Sequence, residues 1–368
     1  MENIKERIIK IAEEINIDCI GFTSAQDFED IRPYLKKREE KGYLSGFEEG
    51  DTDKRLYPLK VFDRAKTIIS IAMSYNFKWD KPFIQNLHGE IAKSAWGRDY
   101  HKVLNEKMVE LMEGIQKEIM PMEYKMFVDT GPLSDRAIAH RAGLGRYGKN
   151  GFLINPEYGS WIFLGHILVD KEIIEDKPLE GDICNTCDLC IKTCPTGAIE
   201  GPYLFNAQKC ISFLTQKKEL LSYNEQRAIG KKIYGCDICQ RVCPQNKDVK
   251  HTKNNNFKPE PHLAFPKLED IIKMSNKEFK EHFKPTAAGW RGKKILQRNA
   301  IIALGNSKDV KAIPLLEDCL RDIRWEIRFY TIGALSQFGE PGKEIIEKWF
   351  NSEEHPKVKQ EMEYALKL

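Results

Sequence analysis

Residues 184–244 read CNTCDLCIKTCPTGAIEGPYLFNAQKCISFLTQKKELLSYNEQRAIGKKIYGCDICQRVCP. This stretch contains eight of the ten cysteines in the 368-residue chain. The first group ends directly before Pro195 and consists of Cys184, Cys187, Cys190 and Cys194. The second group ends directly before Pro244 and consists of Cys210, Cys236, Cys239 and Cys243. Cysteines grouped in this way indicate that metal–sulfur chemistry organises this part of the chain.

The first group has the C-x2-C-x2-C-x3-C-P spacing of bacterial ferredoxins. Three thiolates two residues apart on a tight turn can bind three irons of one cubane, while the fourth cysteine reaches the neighbouring cluster. The eight cysteines therefore predict two [4Fe-4S] clusters, although a long insertion separates the first cysteine of the second group from the rest. The first cluster is assigned the ligands Cys184, Cys187, Cys190 and Cys243. The second cluster is assigned the ligands Cys194, Cys210, Cys236 and Cys239.

Zinc and disulfides are the two alternatives for these cysteines. Paired C-x2-C units also bind structural zinc, but a third cysteine two residues on and a terminal Cys-Pro have no purpose at a four-ligand site. A disulfide framework needs an oxidising compartment. The first residues, MENIKERIIKIAEE, lack the apolar segment of a signal peptide, and no stretch approaches the roughly 18 apolar residues that cross a bilayer. We therefore expect a cytoplasmic protein whose thiols bind iron.

The part of the chain before the cysteines alternates between helical and extended patterns. Apolar residues at helical spacing predict an opening helix over residues 2–15 and a second helix beginning near Asp99. Runs rich in β-branched residues predict strands, and they lie at 19–25, 66–75, 124–129 and 161–170. The charged segment 38–63 is broken by glycine and proline, so we expect a loop there. The pattern is that of an α+β domain.

The end of the chain repeats. Ala-Leu pairs recur at a step of 31 residues, namely at 303–304, 334–335 and 365–366. Such a period is typical of stacked helix pairs like HEAT repeats, because each unit can bury its apolar face only against the next. Together with the length of the chain, this predicts three domains, at residues 1–175, 176–260 and 261–368.

Asp135, in the segment TGPLSDRAIAHRAG, is the candidate catalytic residue. A carboxyl group at the mouth of a glycine-lined pocket can be kept protonated by desolvation and then donate a proton. On the residues alone, the simpler interpretation is a helix cap formed by Ser134 or Asp135. Asp99 and Tyr100 also fit a cap with a packed aromatic ring, and Arg55 fits a solvated loop. Nucleotide-binding G-x-G-x-x-G and P-loop motifs are missing from the expected strand–helix contexts.

Residues 284–298 contain five basic side chains, a tryptophan and no acid. A basic surface with an aromatic ring suits contact with an RNA backbone and stacking on a base. A solvated helix face explains the same composition equally well, and the net charge of +3 decides nothing. The candidate RNA-binding residues are Trp290, Arg291, Lys293, Lys294 and Arg298.

Three strings, together with the first cysteine group, resemble the epoxyqueuosine reductase family. They are VDTGPLSDRAIAHRAGLGRYGKNGFLI (128–154), CISFLT (210–215) and YGCDICQRVCPQNK (234–247). The resemblance covers nearly the whole chain, including GRDYH (97–101) and the terminal repeats. It implies a nitroreductase-like N-terminal domain that binds base-off cobalamin as in reductive dehalogenases, then a ferredoxin-like domain with two [4Fe-4S] clusters, then HEAT-like helices.

The same resemblance implies an activity. Such enzymes reduce epoxyqueuosine to queuosine at the wobble position of tRNAs with GUN anticodons, which are those for Asp, Asn, His and Tyr. Electrons pass from an external donor through the clusters to cobalamin, reduced cobalt attacks the epoxide, and the departing oxygen needs a proton. Carried over to this chain, the proton donor is Asp135. The residues expected near the cofactor or substrate are Arg55, Tyr57, Gly97, Asp99, Tyr100 and Asp135.

Two other functions are alternatives. The chain could be a dehalogenase-like cobalamin reductase of a small molecule, but a small substrate does not require a basic helical domain. It could also be a non-catalytic iron–sulfur electron carrier with an RNA-binding appendage, which would bind no corrinoid. We expect a monomer that contacts tRNA and an electron donor but no membrane.

Overall fold

The computed structural model describes residues 3–78 and 86–367. The chain divides into two compact units. The first unit consists of Met1–Lys78, Asp99–Cys210 and Asp237–Phe257. The second unit consists of Trp79–Arg98, Ile211–Cys236 and Lys258–Leu368. In the described ranges, we find no helix with both the length and the apolar character needed to span a bilayer. The three domains predicted from the sequence stay a prediction.

The described part of the chain contains strands and helices in short runs up to Arg241, and only helices from Pro261 onwards. The strands are β1 (Cys19–Ser24), β2 (Thr67–Ser74), β3 (Glu90–Ile91), β4 (Tyr124–Phe127), β5 (Arg146–Tyr147), β6 (Leu153–Ile154), β7 (Ile162–Val169), β8 (Ile199–Gly201), β9 (Leu204–Phe205) and β10 (Lys232–Tyr234). The helices are α1 (Ile4–Glu14), α2 (Arg32–Glu40), α3 (Thr52–Leu56), α4 (Pro58–Val61), α5 (Tyr100–Glu118), α6 (Asp135–Arg141), α7 (Leu189–Thr193), α8 (Ile211–Leu214), α9 (Tyr223–Ile229), α10 (Ile238–Arg241), α11 (Pro261–Ala264), α12 (Leu268–Lys273), α13 (Asn276–Glu278), α14 (Lys293–Ser307), α15 (Ile313–Cys319), α16 (Trp325–Leu335), α17 (Glu340–Phe350) and α18 (Pro356–Lys367).

The core of the first unit is an antiparallel sheet, whose described strands have the order β1-β2-β7-β4. Each of these strands lies where the apolar runs predicted one, so the α+β prediction is confirmed. Strand β2 is buried along its whole length, because helices cover both faces of the sheet. Helices α1 and α5 bury one face, with Ile8, Leu104 and Met108 inaccessible to solvent.

Helix α6 covers the opposite face of the sheet. Its apolar residues Ala137 and Ile138 pack in one cluster with Leu168 of β7. The helix approaches β1 closely at Gly21, where the Cβ of any other residue would overlap the carbonyl oxygen of Ala142. This close packing fixes the helix, so that its first residue lies above the middle of strand β7.

The segment 38–63, expected to be a loop, contains the end of α2 and the short helices α3 and α4. The Asp51 carboxylate caps α3 by accepting hydrogen bonds from the main-chain N–H groups of Asp53 and Lys54. Pro58 occupies the first turn of α4, where its missing N–H costs nothing. The prediction of a loop was wrong because it gave more weight to the glycine content of this segment than to these local capping signals.

The second unit contains the predicted helical repeat. Helices α14, α16 and α18 pack side by side in the order α14-α16-α18. The three alanines of the repeated Ala-Leu pairs lie on these helices and are buried, with exposures of 0%, 1% and 0% at Ala303, Ala334 and Ala365. The residues that recur seven positions earlier are buried as well, namely Leu296, Ile327 and Val358. The step of 31 residues in the sequence therefore corresponds to the distance along the chain from one stacked helix to the next.

Candidate active site and cysteine clusters

Asp135 is the first residue of α6, and its side chain is only 18% exposed. Its Oδ1 is buried and has no hydrogen-bond partner in the described part of the chain. Ser134 occupies the cap position of the helix, yet its side chain caps nothing, and its buried Oγ likewise lacks a partner. The capping interpretation favoured by the sequence is therefore wrong. The carboxyl group faces the interior without the hydrogen bonds that stabilise a carboxylate.

The surroundings of Asp135 favour its neutral form. Burial raises the pKa of this carboxyl group well above its usual value, and the negative charge of Asp129 raises it further. The positive charges of Arg136, Arg55 and His101 oppose this rise without cancelling it. A carboxyl group that keeps its proton in this way is available as an acid.

A charged histidine lies between two carboxylates near the start of α5. The Nδ1 atom of His101 lies 2.8 Å from Oδ1 of Asp99, which also caps α5, and its Nε2 lies 3.4 Å from Oδ2 of Asp129. The Tyr100 hydroxyl donates a hydrogen bond of 2.6 Å to the same Asp129 oxygen. Burial alone would lower the pKa of His101, but the two aspartates outweigh it and raise this pKa to about 9. His101 is therefore an imidazolium at neutral pH.

The three aspartates consequently differ in ionisation. Burial raises the pKa values of Asp99 and Asp129, but hydrogen bonds from His101, joined at Asp129 by Tyr100, outweigh burial and lower both. The pKa of Asp135 is shifted in the opposite direction. Titratable groups whose environments separate their pKa values mark the acid and the anions of an active site. The arrangement can deliver a proton from Asp135 while Asp129 stays charged.

Replacing His101 with Gln should make stability less dependent on pH. A histidine whose folded-state pKa is raised to about 9 stabilises the fold fully below its unfolded pKa of about 6.5, and this contribution disappears as pH rises through about 9. We expect His101→Gln to lower the free energy of unfolding by about 1–2 kcal/mol near pH 6, less than full linkage gives because the side chain is 32% exposed. Denaturant titrations at several pH values measure the difference, which should vanish near pH 10.

The exposed His262, whose Nε2 lies 3.5 Å from Glu260, provides the matched control. His262→Gln should change stability by less than about 0.5 kcal/mol at every pH. A loss in His101→Gln that is the same at all pH values would contradict the charged state assigned to His101.

The other residues expected near a cofactor differ in their burial and in their hydrogen bonds. Arg55 is half-buried, and its guanidinium makes no hydrogen bond within the described ranges. Burial lowers the pKa of Arg55, and its charge acts on Asp135. The Tyr57 hydroxyl bonds to Glu29 and accepts a hydrogen bond of 3.1 Å from Arg32, so it is already engaged in a surface network. Gly97 lies in the second unit, and its role stays a prediction.

All ten cysteines lie within the described ranges, and none of them forms a disulfide, which excludes the disulfide alternative for this structure. Helices α7 and α10, which carry Cys190 and Cys239, pack against each other. Burial raises the pKa of Cys190, and the sulfurs of Cys184, Cys243 and Cys187 raise it further. The four ligands assigned to the first cluster therefore lie near one another.

A cubane needs a different ligand geometry from that of a single metal ion. Among described side chains, no three from His, Cys, Asp or Glu converge on a single ion position. A cubane does not require such convergence, because each of its cysteines binds a different iron. Cys184 also accepts a hydrogen bond of 3.4 Å from the main-chain N–H of Lys149. Hydrogen bonds to sulfur are one of the means by which a protein sets the potential of a cluster.

Cys194, assigned to the second cluster, has a different environment. Burial raises the pKa of its thiol, but hydrogen bonds from the Thr196 hydroxyl and from the main-chain N–H groups of Thr196, Ala198 and Ile199 outweigh burial and lower it. Such donors stabilise a thiolate, the form that binds iron. The complete ligand set of the second cluster stays a prediction.

The predicted RNA-binding residues separate into exposed and buried members. Trp290 is 52% exposed, and the guanidinium of Arg291 lies 3.9 Å from the centre of its ring. Lys294 is exposed and forms an ion pair of 2.7 Å with Glu326, whereas Lys293 is half-buried.

Arg298 is only 3% exposed, and its guanidinium donates to the main-chain oxygens of Leu214 and Lys217. A guanidinium enclosed and paired in this way cannot reach an RNA phosphate. The prediction for Arg298 was therefore wrong, because its helical position faces the neighbouring helices and not the solvent.

His166 and Ser70 were missed by the sequence reasoning. Both are completely buried on the sheet face that α6 covers. The available signal was a histidine and a serine interrupting the apolar strands β7 and β2. A single polar residue in a strand is usually a satisfied core residue, so the signal is weak.

Family models match three parts of the chain. Residues 55–130 match "Epoxyqueuosine reductase QueG, DUF1730", residues 183–246 match a 4Fe-4S double cluster binding domain, and residues 291–367 match HEAT repeats. The second match contains all eight grouped cysteines, so the chain holds two [4Fe-4S] clusters and the zinc alternative is wrong. The fold and the site define an iron–sulfur oxidoreductase with a C-terminal helical repeat.

Relatives extend over nearly the full length. The epoxyqueuosine reductase of Bacillus subtilis (strain 168) is 40% identical over 370 residues, which cover 99% of this chain and 96% of that protein. The epoxyqueuosine reductase of Lactococcus garvieae is 43% identical over 336 residues, 91% of this chain and 95% of that protein. The chain belongs to the epoxyqueuosine reductase family.

Solved structures agree with this assignment. A crystal structure of epoxyqueuosine reductase with a tRNA-Tyr epoxyqueuosine-modified stem loop superposes with a TM-score of 0.94 at 41% identity, covering 99% of this chain and 98% of that one. A structure of the Bacillus subtilis enzyme, with its catalytic aspartate loop swung out of the active site, has a TM-score of 0.94 at 40% identity and the same coverage.

Proposed function

We propose that this chain reduces epoxyqueuosine to queuosine at the wobble position of tRNAs with GUN anticodons. The reaction removes the epoxide oxygen as water and forms a carbon–carbon double bond, which consumes two electrons and two protons. The observation that carries the proposal is the Asp135 carboxyl group, whose Oδ1 is buried without a hydrogen-bond partner in the described part of the chain and whose pKa burial raises well above its usual value. An acid of this kind is what the departing oxygen requires.

The two clusters supply electrons, and we propose cobalamin as the group that passes them to the epoxide. When bound, cobalamin provides a strongly reducing metal centre that can attack an epoxide carbon. Among the residues present, Arg55 fits a polar ligand, because its guanidinium makes no hydrogen bond in the part of the chain described. An external one-electron donor is needed to recharge the clusters.

The site residues have separate roles in this proposal. Asp135 donates a proton to the departing oxygen and is then protonated again from solvent. Asp129 raises the pKa of Asp135 and so helps it to keep the proton until the substrate is bound. His101 offsets one of the two negative charges of Asp129 and Asp99, and so reduces the repulsion of an anionic RNA from the site.

We propose that Trp290, Arg291, Lys293 and Lys294 contact the tRNA. Lysine–phosphate contacts release counterions, so each contributes about one unit to the slope of log affinity against log salt. The double substitution Lys293→Ala with Lys294→Ala should weaken binding of the anticodon stem-loop and reduce that slope by about two. Fluorescence anisotropy titrations over a range of salt concentrations measure both quantities.

Lys348→Ala is the control for this surface, because Lys348 is also an exposed lysine in an ion pair, 2.7 Å from Glu317. It should leave affinity and slope unchanged. If the double variant and the control behave alike, the surface containing Trp290 does not bind the RNA.

The analysis of cellular tRNA tests the proposed reaction. A strain that lacks this gene should accumulate epoxyqueuosine in nucleoside digests of its tRNA, and the wild-type gene should restore queuosine. A gene carrying Asp135→Asn should not restore it. Normal queuosine in the deletion strain would contradict the proposal and favour a small-molecule reductase or an electron carrier.

A further inference from the structure

His166 lies in the middle of strand β7 and is completely buried. Neither of its ring nitrogens makes a hydrogen bond of normal geometry among the described residues, although the main chain of Asp135 lies near enough to the ring to oppose the lowering of its pKa. Ser70, directly opposite His166 in the register of β2 and β7, is also completely buried, and its Oγ lacks a partner as well. The neighbouring positions on this sheet face, Ile68 and Leu168, are apolar. Two unsatisfied polar side chains in such a layer require an explanation.

The Nε2 atom of His166 lies 3.5 Å from Oδ1 of Asp135, which is itself buried without a hydrogen bond in the described structure. This separation is slightly longer than a normal N–H···O hydrogen bond. Catalytic hydrogen bonds are often long before the substrate binds and shorten in the complex. Leaving the three groups permanently unpaired would cost stability, so a function that pairs them is the better explanation.

We propose that His166 is a positioning residue for Asp135, whose Oδ1 accepts a hydrogen bond from the Nε2–H of the neutral imidazole. This leaves Oδ2 to carry the acidic proton towards the substrate. The inference rests on the proposed function, because it assigns His166 to the proton-transfer step of that reaction. The step moves only a proton, from Asp135 to the departing oxygen, and no electron.

The charge state of His166 agrees with this role. Burial lowers its pKa to about 3, so the ring is neutral at physiological pH and has one N–H to donate. The charged groups that act on Asp135 are Asp129, Arg136, Arg55 and His101, and His166 is the neutral donor among its neighbours.

Donation to a carboxylate favours its charged form. The His166 N–H therefore limits the rise in the pKa of Asp135 and stabilises the anion left after proton transfer. With Nε2–H directed at Asp135, Nδ1 of the neutral ring is an acceptor.

The experiment compares His166→Phe, which removes the N–H, with His166→Gln, which keeps an N–H near the position of Nε2. Difference infrared spectroscopy of the holoprotein follows the titration of the Asp135 carboxyl group, which is identified by its loss in Asp135→Asn. His166→Phe should raise the midpoint by about 1–2 pH units, as expected for the loss of one hydrogen bond to a charged group. His166→Gln should return it close to the wild-type value.

The rate of turnover should also be changed by His166→Phe and returned close to the wild-type value in His166→Gln. In His166→Phe, kcat falls with KM little changed, and the high-pH decline of kcat/KM moves upward by the same shift. His140→Gln is the matched control, because the Nδ1 of His140 is already bonded to the Gly145 carbonyl oxygen at 2.9 Å. It should leave the midpoint and the pH profile unchanged.

Equal midpoints in the Phe and Gln variants would overturn the inference. If His166→Phe does not fold, NMR of isotope-labelled histidine in the wild-type holoprotein still decides the matter, since a His166 tautomer protonated at Nδ1 would also overturn it. The infrared midpoint needs no turnover. An unchanged tRNA in the presence of the predicted midpoint shifts would therefore reject the proposed reaction while keeping the contact between His166 and Asp135.

Discussion

Asp135→Asn is expected to lower turnover of an epoxyqueuosine-containing stem-loop by about 10²–10⁴-fold, the usual contribution of a general acid. Asparagine has nearly the same shape but cannot donate an acidic proton to the departing oxygen. Because the wild-type pKa is raised, activity of the wild type should decline as pH rises through that pKa, and the variant should lack this decline. Single-turnover measurements with pre-reduced protein separate the chemical step from electron delivery.

Iron content and cobalamin binding of Asp135→Asn should equal those of the wild type, because no cysteine is changed. Asp63→Asn, at an exposed carboxylate before β2, is the matched control and should retain full activity. Full activity in Asp135→Asn would remove this residue from the mechanism. Loss of activity together with loss of iron would instead indicate a folding defect.

Cys190→Ala is expected to abolish turnover by removing one ligand of the first cluster. The protein should then contain about four irons per chain in place of about eight, since each cubane holds four. Cys243→Ala should give the same result, because the sulfurs of Cys184, Cys187 and Cys190 surround the same position. Anaerobic iron analysis and electron paramagnetic resonance of the reduced protein measure the change.

Cys19→Ala is the matched control for the cluster ligands. The Cys19 thiol is partly buried in strand β1, where burial raises its pKa to about 12 and the Asn155 amide lies 3.6 Å from its sulfur. Its removal should leave both clusters in place. Equal iron loss in Cys19→Ala and Cys190→Ala would contradict the ligand assignment.

Elements with strong periodic signals could be predicted from the sequence. The strands β2 and β7 were correct because segments rich in β-branched and apolar residues favour a buried strand. The Ala-Leu step of 31 residues identified the stacked helices, because the same small contact recurs at Ala303, Ala334 and Ala365. The cysteine spacing predicted the clusters, because cluster geometry tolerates few arrangements of ligands.

Features that depend on tertiary contacts could not be predicted. The sequence favoured a cap at Ser134 and Asp135, since only the folded chain shows a carboxyl group facing the interior. Arg298 was assigned to a basic surface because composition does not reveal which side of a helix is buried. The contact between His166 and Asp135 joins residues from a strand and a helix that no local pattern connects.

The most direct test is the anaerobic reaction of cluster-replete, cobalamin-loaded protein with a reductant and an epoxyqueuosine-containing anticodon stem-loop, followed by mass spectrometry of the nucleosides. We expect a product lighter than epoxyqueuosine by one oxygen atom and identical to queuosine, and none with Asp135→Asn. Epoxyqueuosine left unchanged by wild-type protein, with both clusters and cobalamin verified in place, would contradict the account.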